Sequence, residues 1–283
     1  MLTTLITNFK KQAFIVMQYC LPQQLLSALL GKLANIEISW LKNAAIKWFI
    51  KSYKVDLSEA IYTDYRQYKS FNDFFTRRLQ NASRILDNSA ILVSPVDGTI
   101  SQNSEIDGGS LIQAKGKLFT VSALLGEASN AKHFDKGSFS TIYLAPYNYH
   151  RIHAPLSASL TSITYIPGKL FSVNPTTAEN INNLFALNER VVCNFDSELG
   201  KISLVMVGAM IVGSIYTKWT GYAGTKYKGK YRHIELDTPQ SVALGEDIGH
   251  FALGSTVILL SQKPLEWKHT RNDTLLMGEK IAR

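Results

Sequence analysis

The feature that most constrains the fold is a change of hydrophobic period about a third of the way along the 283-residue chain. Up to about residue 80 apolar residues recur at helical spacing. From Ile91 onward they gather in short β-branched and aromatic runs punctuated by Gly and Pro. Helices followed by strands predict an α+β protein with a helical region over 1–90 and a β-rich, mainly antiparallel domain with a few short helices over 91–283.

In the first part, Leu21, Leu25, Leu26, Leu29, Leu30 and Leu33 follow helical spacing behind Pro22, which suits a first-turn position. A second helix is predicted from about Ile36 to Tyr53, with Trp40, Leu41, Ala44, Ala45, Trp48 and Phe49 on one side and Lys47, Lys51 and Lys54 on another. Residues 1–55 hold seven Lys and one acidic residue, Glu37, and so carry +6 of the net +8. That balance points to a polyanion, either nucleic acid or anionic lipid. Tryptophan beside lysine suits a membrane interface, where each Lys near an anionic leaflet contributes about 1 kcal/mol. An ordinary helical hairpin packed on the domain is the plainer alternative. The uncharged stretch Gln12 to Gly31 has twenty residues, but Gln12, Gln18, Pro22, Gln23, Gln24 and Ser27 interrupt it, so it reads as non-spanning. No secretory or Arg-rich leader pattern stands out, the first Arg being Arg66, and the N-terminus reads as retained. Two cysteines, Cys20 and Cys193, make a disulfide framework a poor reading.

Further along, Ser70 is placed to cap a short helix through Phe71, Phe74, Phe75 and Leu79. Strands are predicted over Ser138 to Leu144, Leu160 to Ile166, Ile202 to Tyr216, His233 to Leu236 and Ser255 to Leu260, with helices at about Val121 to Leu125 and Ala178 to Asn188. Thr176 and Glu179 have capping-box spacing for the latter. No repeat, nucleotide-binding glycine loop or metal-ligand spacing is present, and no metal is expected.

Three segments can carry chemistry: Ser94-Pro95-Val96-Asp97-Gly98, Tyr149-His150-Arg151-Ile152-His153-Ala154-Pro155 and Phe251-Ala252-Leu253-Gly254-Ser255-Thr256. Singly, each is also what turns and strand starts are made of. Together they supply an acid, a base and a nucleophile, and such a triad is defined by roles and geometry, not chain order. Ser255 follows Gly254 directly and precedes a strand-like run, which fits a hydrolase elbow poorly.

These segments, with Tyr53-Lys54-Val55-Asp56, Phe71-Asn72-Asp73-Phe74-Phe75-Thr76-Arg77, Gln113-Ala114-Lys115-Gly116, Leu187-Asn188-Glu189-Arg190 and Leu253-Gly254-Ser255-Thr256, give the chain a strong resemblance to the phosphatidylserine decarboxylases of the compact bacterial type. The resemblance implies a precursor that cuts itself between Gly254 and Ser255 into a β chain, 1–254, and an α chain, 255–283. Ser255 Oγ attacks the Gly254 carbonyl while His153 takes the proton and Asp97 orients its ring. Elimination and hydrolysis then convert Ser255 into a covalent pyruvoyl cofactor. That group forms a Schiff base with phosphatidylserine, and loss of CO₂ gives phosphatidylethanolamine. His150 is a candidate proton donor in the decarboxylation. Arg190 is a candidate for pairing with a carboxylate or holding phosphate, and His133, His233, His250 and His269 read as structural or exposed. The same resemblance implies a homo-oligomer with no nucleic-acid partner, held peripherally on the cytoplasmic side of the cell membrane by an anionic surface. The rivals are a pyruvoyl amino-acid decarboxylase of soluble substrates and a non-enzymatic basic protein that binds lipid or nucleic acid.

Overall fold

The computed structural model describes residues 2–81, 83–209, 215–252 and 255–283. Three helices open the chain: α1 (Leu2–Cys20), α2 (Gln23–Ala34) and α3 (Ser39–Tyr53). The second and third follow the predicted spacing, whereas α1 emerges only in three dimensions. Pro22 precedes α2 instead of sitting within its first turn. A proline has no amide hydrogen to continue α1, and the chain bends by 87° between the arms Lys11–Cys20 and Gln23–Ala34. Among the described residues no single helix is long and apolar enough to cross a membrane.

The burial of α2 is inverted relative to that of a helix on a soluble protein. Its polar residues Gln23 and Ser27 are buried, while Leu25, Leu29 and Leu33 are 60%, 50% and 57% exposed. The glutamines that interrupt the uncharged stretch hold the helices to the β domain: Leu170 N–H donates to Gln23 Oε1 at 2.7 Å and Ser172 N–H to Gln18 Oε1 at 2.9 Å.

The apolar side predicted for the helix ending at Tyr53 is divided. Phe49 packs against Phe71, Phe74 and Phe75, but Trp40 and Trp48 face outward. Lys42 takes a buried place on α3, with its ammonium donating to the Arg66 carbonyl at 3.0 Å. Ser70 caps α4 (Phe71–Phe75) as expected, its Oγ accepting from Asp73 N–H.

The β domain contains an eight-stranded antiparallel sheet. Its strands run in the order Arg232–Val242, Ala158–Ile166, Arg190–Ser197, Gly200–Val207, Ser255–Ser261, Ser138–Leu144, Gly98–Glu105, Thr274–Leu275. A four-stranded antiparallel sheet has the order Gly221–Tyr222, Ile215–Thr217, Asp247–Phe251, Arg151–His153. The run predicted as one strand from Ile202 to Tyr216 is thus shared between the two sheets. Val191, Leu204, Val257 and Ile142 fill a core on which both sheets draw.

The predicted helix Val121–Leu125 is present, capped by Thr120. The one predicted from Ala178 to Asn188 is two short helices, Pro175–Asn180 and Leu184–Leu187. Pro175 sets the first turn, so Asn174 and not Thr176 is the cap, and Glu179 pairs with Lys115 instead of closing a capping box. Gln113 stabilises the break, donating to the Ala178 and Ile181 carbonyls and accepting from Leu184 N–H.

Candidate active site

Asp97 lies in a buried turn that leads into the strand Gly98–Glu105. Glycine is required after it, because a Cβ at position 98 would meet the Tyr143 carbonyl oxygen at 2.7 Å. The carboxylate accepts two hydrogen bonds from Arg84, Nε at 3.0 Å and Nη2 at 2.5 Å, and a third from Met277 N–H at 2.8 Å. A guanidinium fork on a carboxylate is among the stronger charge-assisted pairings. Nothing in residue type or spacing singled out Arg84.

His153 ends the strand Arg151–His153, and its amide donates to the Pro95 carbonyl at 2.9 Å, which sets it beside the Asp97 turn. Its Nδ1 lies 2.8 Å from the Gly245 carbonyl and its Nε2 2.9 Å from the Tyr149 hydroxyl. A carbonyl only accepts, so Nδ1 carries the proton, and Nε2 is the basic nitrogen, accepting from Tyr149. Burial pushes the His153 pKa down, partly opposed by the Gly245 carbonyl. The imidazole lines a cavity of about 660 Å³ with Tyr149, Arg151, Arg84 and Asp247.

His150 is fully buried against Phe75, with ring centroids 4.1 Å apart. Its Nδ1 is 2.8 Å from the Asn148 carbonyl, and its Nε2 has no hydrogen-bond partner among the described residues. Burial lowers its pKa to about 3, so at neutral pH it is an uncharged ring with a free lone pair at Nε2. Proton donation from Nε2 therefore requires that this nitrogen first gain a proton.

Ser255 opens a strand in the middle of the large sheet, opposite Leu144. It is completely buried, and its Oγ has no partner among the described residues. Gly254 and Leu253 lie outside the described residues. The approach to them is set on the other side by Phe251, whose amide donates to the His150 carbonyl at 3.1 Å. The segment between Phe251 and Ser255 therefore joins the small sheet to the large one. Among the described residues no side-chain hydrogen bond links Asp97, His153 and Ser255 to one another.

The Asn188-Glu189-Arg190 segment divides its work. Asn188 donates to the carbonyls of Phe171 and Gly208. Arg190 is buried and donates to the carbonyls of Ala123, Leu124, Ala186 and Asn188, so among the described residues it pairs with no carboxylate, and its donors are not free to hold phosphate. Burial pushes the Glu189 carboxyl up to about 7 against the opposing hydrogen bond of Tyr165. It lines a second cavity, of about 630 Å³, that reaches from Ala252 to α2. In the sequence Glu189 is marked only by its place in the Leu187-Asn188-Glu189-Arg190 segment. Of the histidines read as structural, His250 stacks on Tyr216 with centroids 4.5 Å apart.

Comparison with known proteins gives the family. The family described as phosphatidylserine decarboxylase matches residues 71–283, and one described as PSD matches residues 13–54. A phosphatidylserine decarboxylase proenzyme of Shewanella baltica (strain OS155 / ATCC BAA-1091) is 51% identical over 255 residues, covering 88% of this chain and 87% of that protein. One from Ectopseudomonas mendocina (strain ymp) is 46% identical over 282 residues, covering 96% and 98%. By this match over most of its length, the chain belongs to the phosphatidylserine decarboxylase family.

Proposed function

We propose that the protein is a pyruvoyl-dependent phosphatidylserine decarboxylase that matures by cutting itself between Gly254 and Ser255. The observation that carries this reading is the Ser255 hydroxyl, buried and unpartnered at the head of a central strand. A buried hydroxyl that makes no hydrogen bond contributes nothing to offset its desolvation. Conversion to a carbonyl would remove this orphaned donor.

In maturation, Ser255 Oγ bonds to the Gly254 carbonyl carbon as its proton passes to His153 at Nε2, the nitrogen left basic by the Nδ1 contact with Gly245, and the Gly254 C–Ser255 N bond breaks as that proton moves on to the leaving nitrogen. Asp97 acts on the resulting imidazolium through space, its charge favouring the protonated ring. When formed, the pyruvoyl group supplies an electrophilic carbonyl and an electron sink for removal of CO₂ from phosphatidylserine. His150 offers a lone pair at Nε2 that can hold and return a proton beside the Phe251 approach to the cut.

The helical region serves as the membrane dock, and the inverted burial of α2 supports this. Exposed Leu25, Leu29 and Leu33, with Trp40 and Trp48 on α3, form an apolar surface that water disfavours and a bilayer interface accepts. Lys47, Lys51 and Lys54 are exposed beside it and suit the anionic cytoplasmic leaflet. On this reading the chain is a peripheral protein whose lipid substrate reaches the cavity beneath α2.

Intact mass spectrometry tests the proposal. Two chains, 1–254 and 255–283, with a pyruvoyl group at the head of the smaller one, are expected from the purified protein, and a single chain from Ser255→Ala. An active preparation consisting only of the uncut serine-containing chain would refute it.

A further inference from the structure

We propose that Glu189 is the catalytic base that takes a proton from the serine ammonium of the lipid headgroup, in the cavity beneath α2. This rests on the decarboxylase reading and adds a residue to it.

The sheet places Glu189 and Ser255 on one rung. Thr256 pairs with Val207, and the same register carried one residue further sets Ser255 opposite Gly208. Gly208 N–H donates to the Glu189 carbonyl at 2.9 Å. With neighbouring strands about 4.8 Å apart, the Cα atoms of Ser255 and Glu189 stand roughly 10 Å from each other. Residues opposite one another project to the same face of a sheet, and the residue between these two is a glycine. Gly208 places no side chain between them, and the nearest side-chain atoms to that spot, Ile215 Cδ1 and Leu170 Cδ2, lie 3.7 and 3.8 Å from where its Cβ would stand.

The cavity reaches the Glu189 end of this rung, while Ser255 itself is fully buried. The cavity wall includes Glu189 and Ala252, three residues before Ser255, and its outer rim is α2. The other titratable groups on its wall are Lys32 of α2, Tyr222 from the small sheet and Tyr165 of the neighbouring strand, which hydrogen-bonds Glu189. Asn188 and Arg190 are spent on backbone carbonyls, so of the three polar residues in the segment only Glu189 addresses the cavity.

The chemistry calls for such a group. A serine headgroup arrives as an ammonium ion with no lone pair and cannot attack a carbonyl carbon. When the Glu189 carboxylate takes the proton, an N–H bond breaks, an O–H bond forms, and the electron pair stays on nitrogen as the nucleophile. A carboxyl pushed up to about 7 by burial is a far stronger base than an ordinary glutamate, yet it is still substantially ionised at neutral pH.

The test uses matured protein labelled with glutamate carboxyl ¹³C, titrated by NMR, together with pH profiles of kcat/KM on phosphatidylserine in mixed micelles. One glutamate should titrate near neutrality in the wild type and be missing from E189Q. E189Q should lose on the order of 100-fold in kcat/KM at pH 7 and recover as pH rises through the amine's own pKa. In Tyr165→Phe the carboxylate loses a stabilising hydrogen bond, so the NMR titration and the acidic limb of the profile should both move to higher pH. The proposal is overturned by wild-type rates in E189Q, by an equal loss at every pH, or by no glutamate titrating above the ordinary range. It is overturned too if E189Q fails to form two chains, which would place the residue in maturation. If the wild type itself neither cleaves nor decarboxylates, the decarboxylase reading fails instead, independently of Glu189.

Discussion

Arg84 grips Asp97 with both arms of its guanidinium, Nε at 3.0 Å from Oδ1 and Nη2 at 2.5 Å from Oδ2, and both side chains are buried. The same carboxylate accepts Met277 N–H, so it joins the 84–97 region to the C-terminal 29 residues. Asp97 is thereby a structural brace as well as a candidate member of the maturation site.

Removal of Arg84 should therefore be costly. Arg84→Ala leaves a buried carboxylate without its cation and is expected to destabilise the protein by about 3–5 kcal/mol. Urea denaturation measures this. Adding Asp97→Asn should recover part of the loss, whereas additive effects of the two changes would show that the grip carries little energy.

The small chain should stay in place after cleavage. Its strand Ser255–Ser261 lies between Gly200–Val207 and Ser138–Leu144, and Lys280–Ala282 pairs with Leu92–Val93. No disulfide is needed: Cys20 and Cys193 are free and both precede the cut. Native size-exclusion chromatography should show one species where denaturing electrophoresis shows two, and separation without denaturant would contradict the prediction.

Stability should fall as the pH drops from 6.5 towards 4.5. Burial lowers His150 to about 3 and His250 to about 4, so below 6.5 the unfolded chain binds more protons than the folded one. Glu189 opposes this, because its folded pKa of about 7 lies above the ordinary 4.5 and favours the folded state as pH falls. Two protons against one leave a net slope of about 1.4 kcal/mol per pH unit, to which the lowered pKa of His153 adds in the histidine direction. E189Q removes the opposing proton and should steepen the slope by about 1.4 kcal/mol per pH unit in urea titrations across this window. Equal slopes would deny Glu189 its raised pKa.

The outward face of α2 should matter for membranes and not for folding. Leu25→Gln, Leu29→Gln and Leu33→Gln combined are expected to leave the unfolding midpoint nearly unchanged, since these side chains are exposed in the fold. Flotation with anionic vesicles should drop by at least about tenfold, because each leucine forfeits roughly 1 kcal/mol or more of burial in lipid. Binding should also weaken with added salt as the lysine attraction is screened. Unaltered flotation of the triple variant would move the dock elsewhere.

Much of this was legible in one dimension. The α+β order, α2 and α3, the Ser70 cap, the helix Val121–Leu125 and the strand at Ser255 follow from local periodicity and capping chemistry, which neighbouring residues express without help. The errors came where a distant group intervened. Gln113 stabilises a break between residues 180 and 184, and Phe71, Phe74 and Phe75 draw Phe49 inward while Trp40 and Trp48 remain outside.

The sequence by itself determined the period of each segment and the concentration of lysine near the N-terminus, because these are properties of residue type and spacing, and it carries the Asp97, His153 and Gly254-Ser255 segments on which the family resemblance rests. Only the tertiary structure decided which groups face one another. It set Arg84 on Asp97, Tyr149 on His153 and Tyr165 on Glu189, spent Arg190 on four carbonyls, and turned the leucines of α2 outward. The reason is physical: hydrogen bonds and burial between residues far apart in the chain depend on sheet register and packing, and a register shifted by one residue would turn Glu189 and Ser255 to the opposite face.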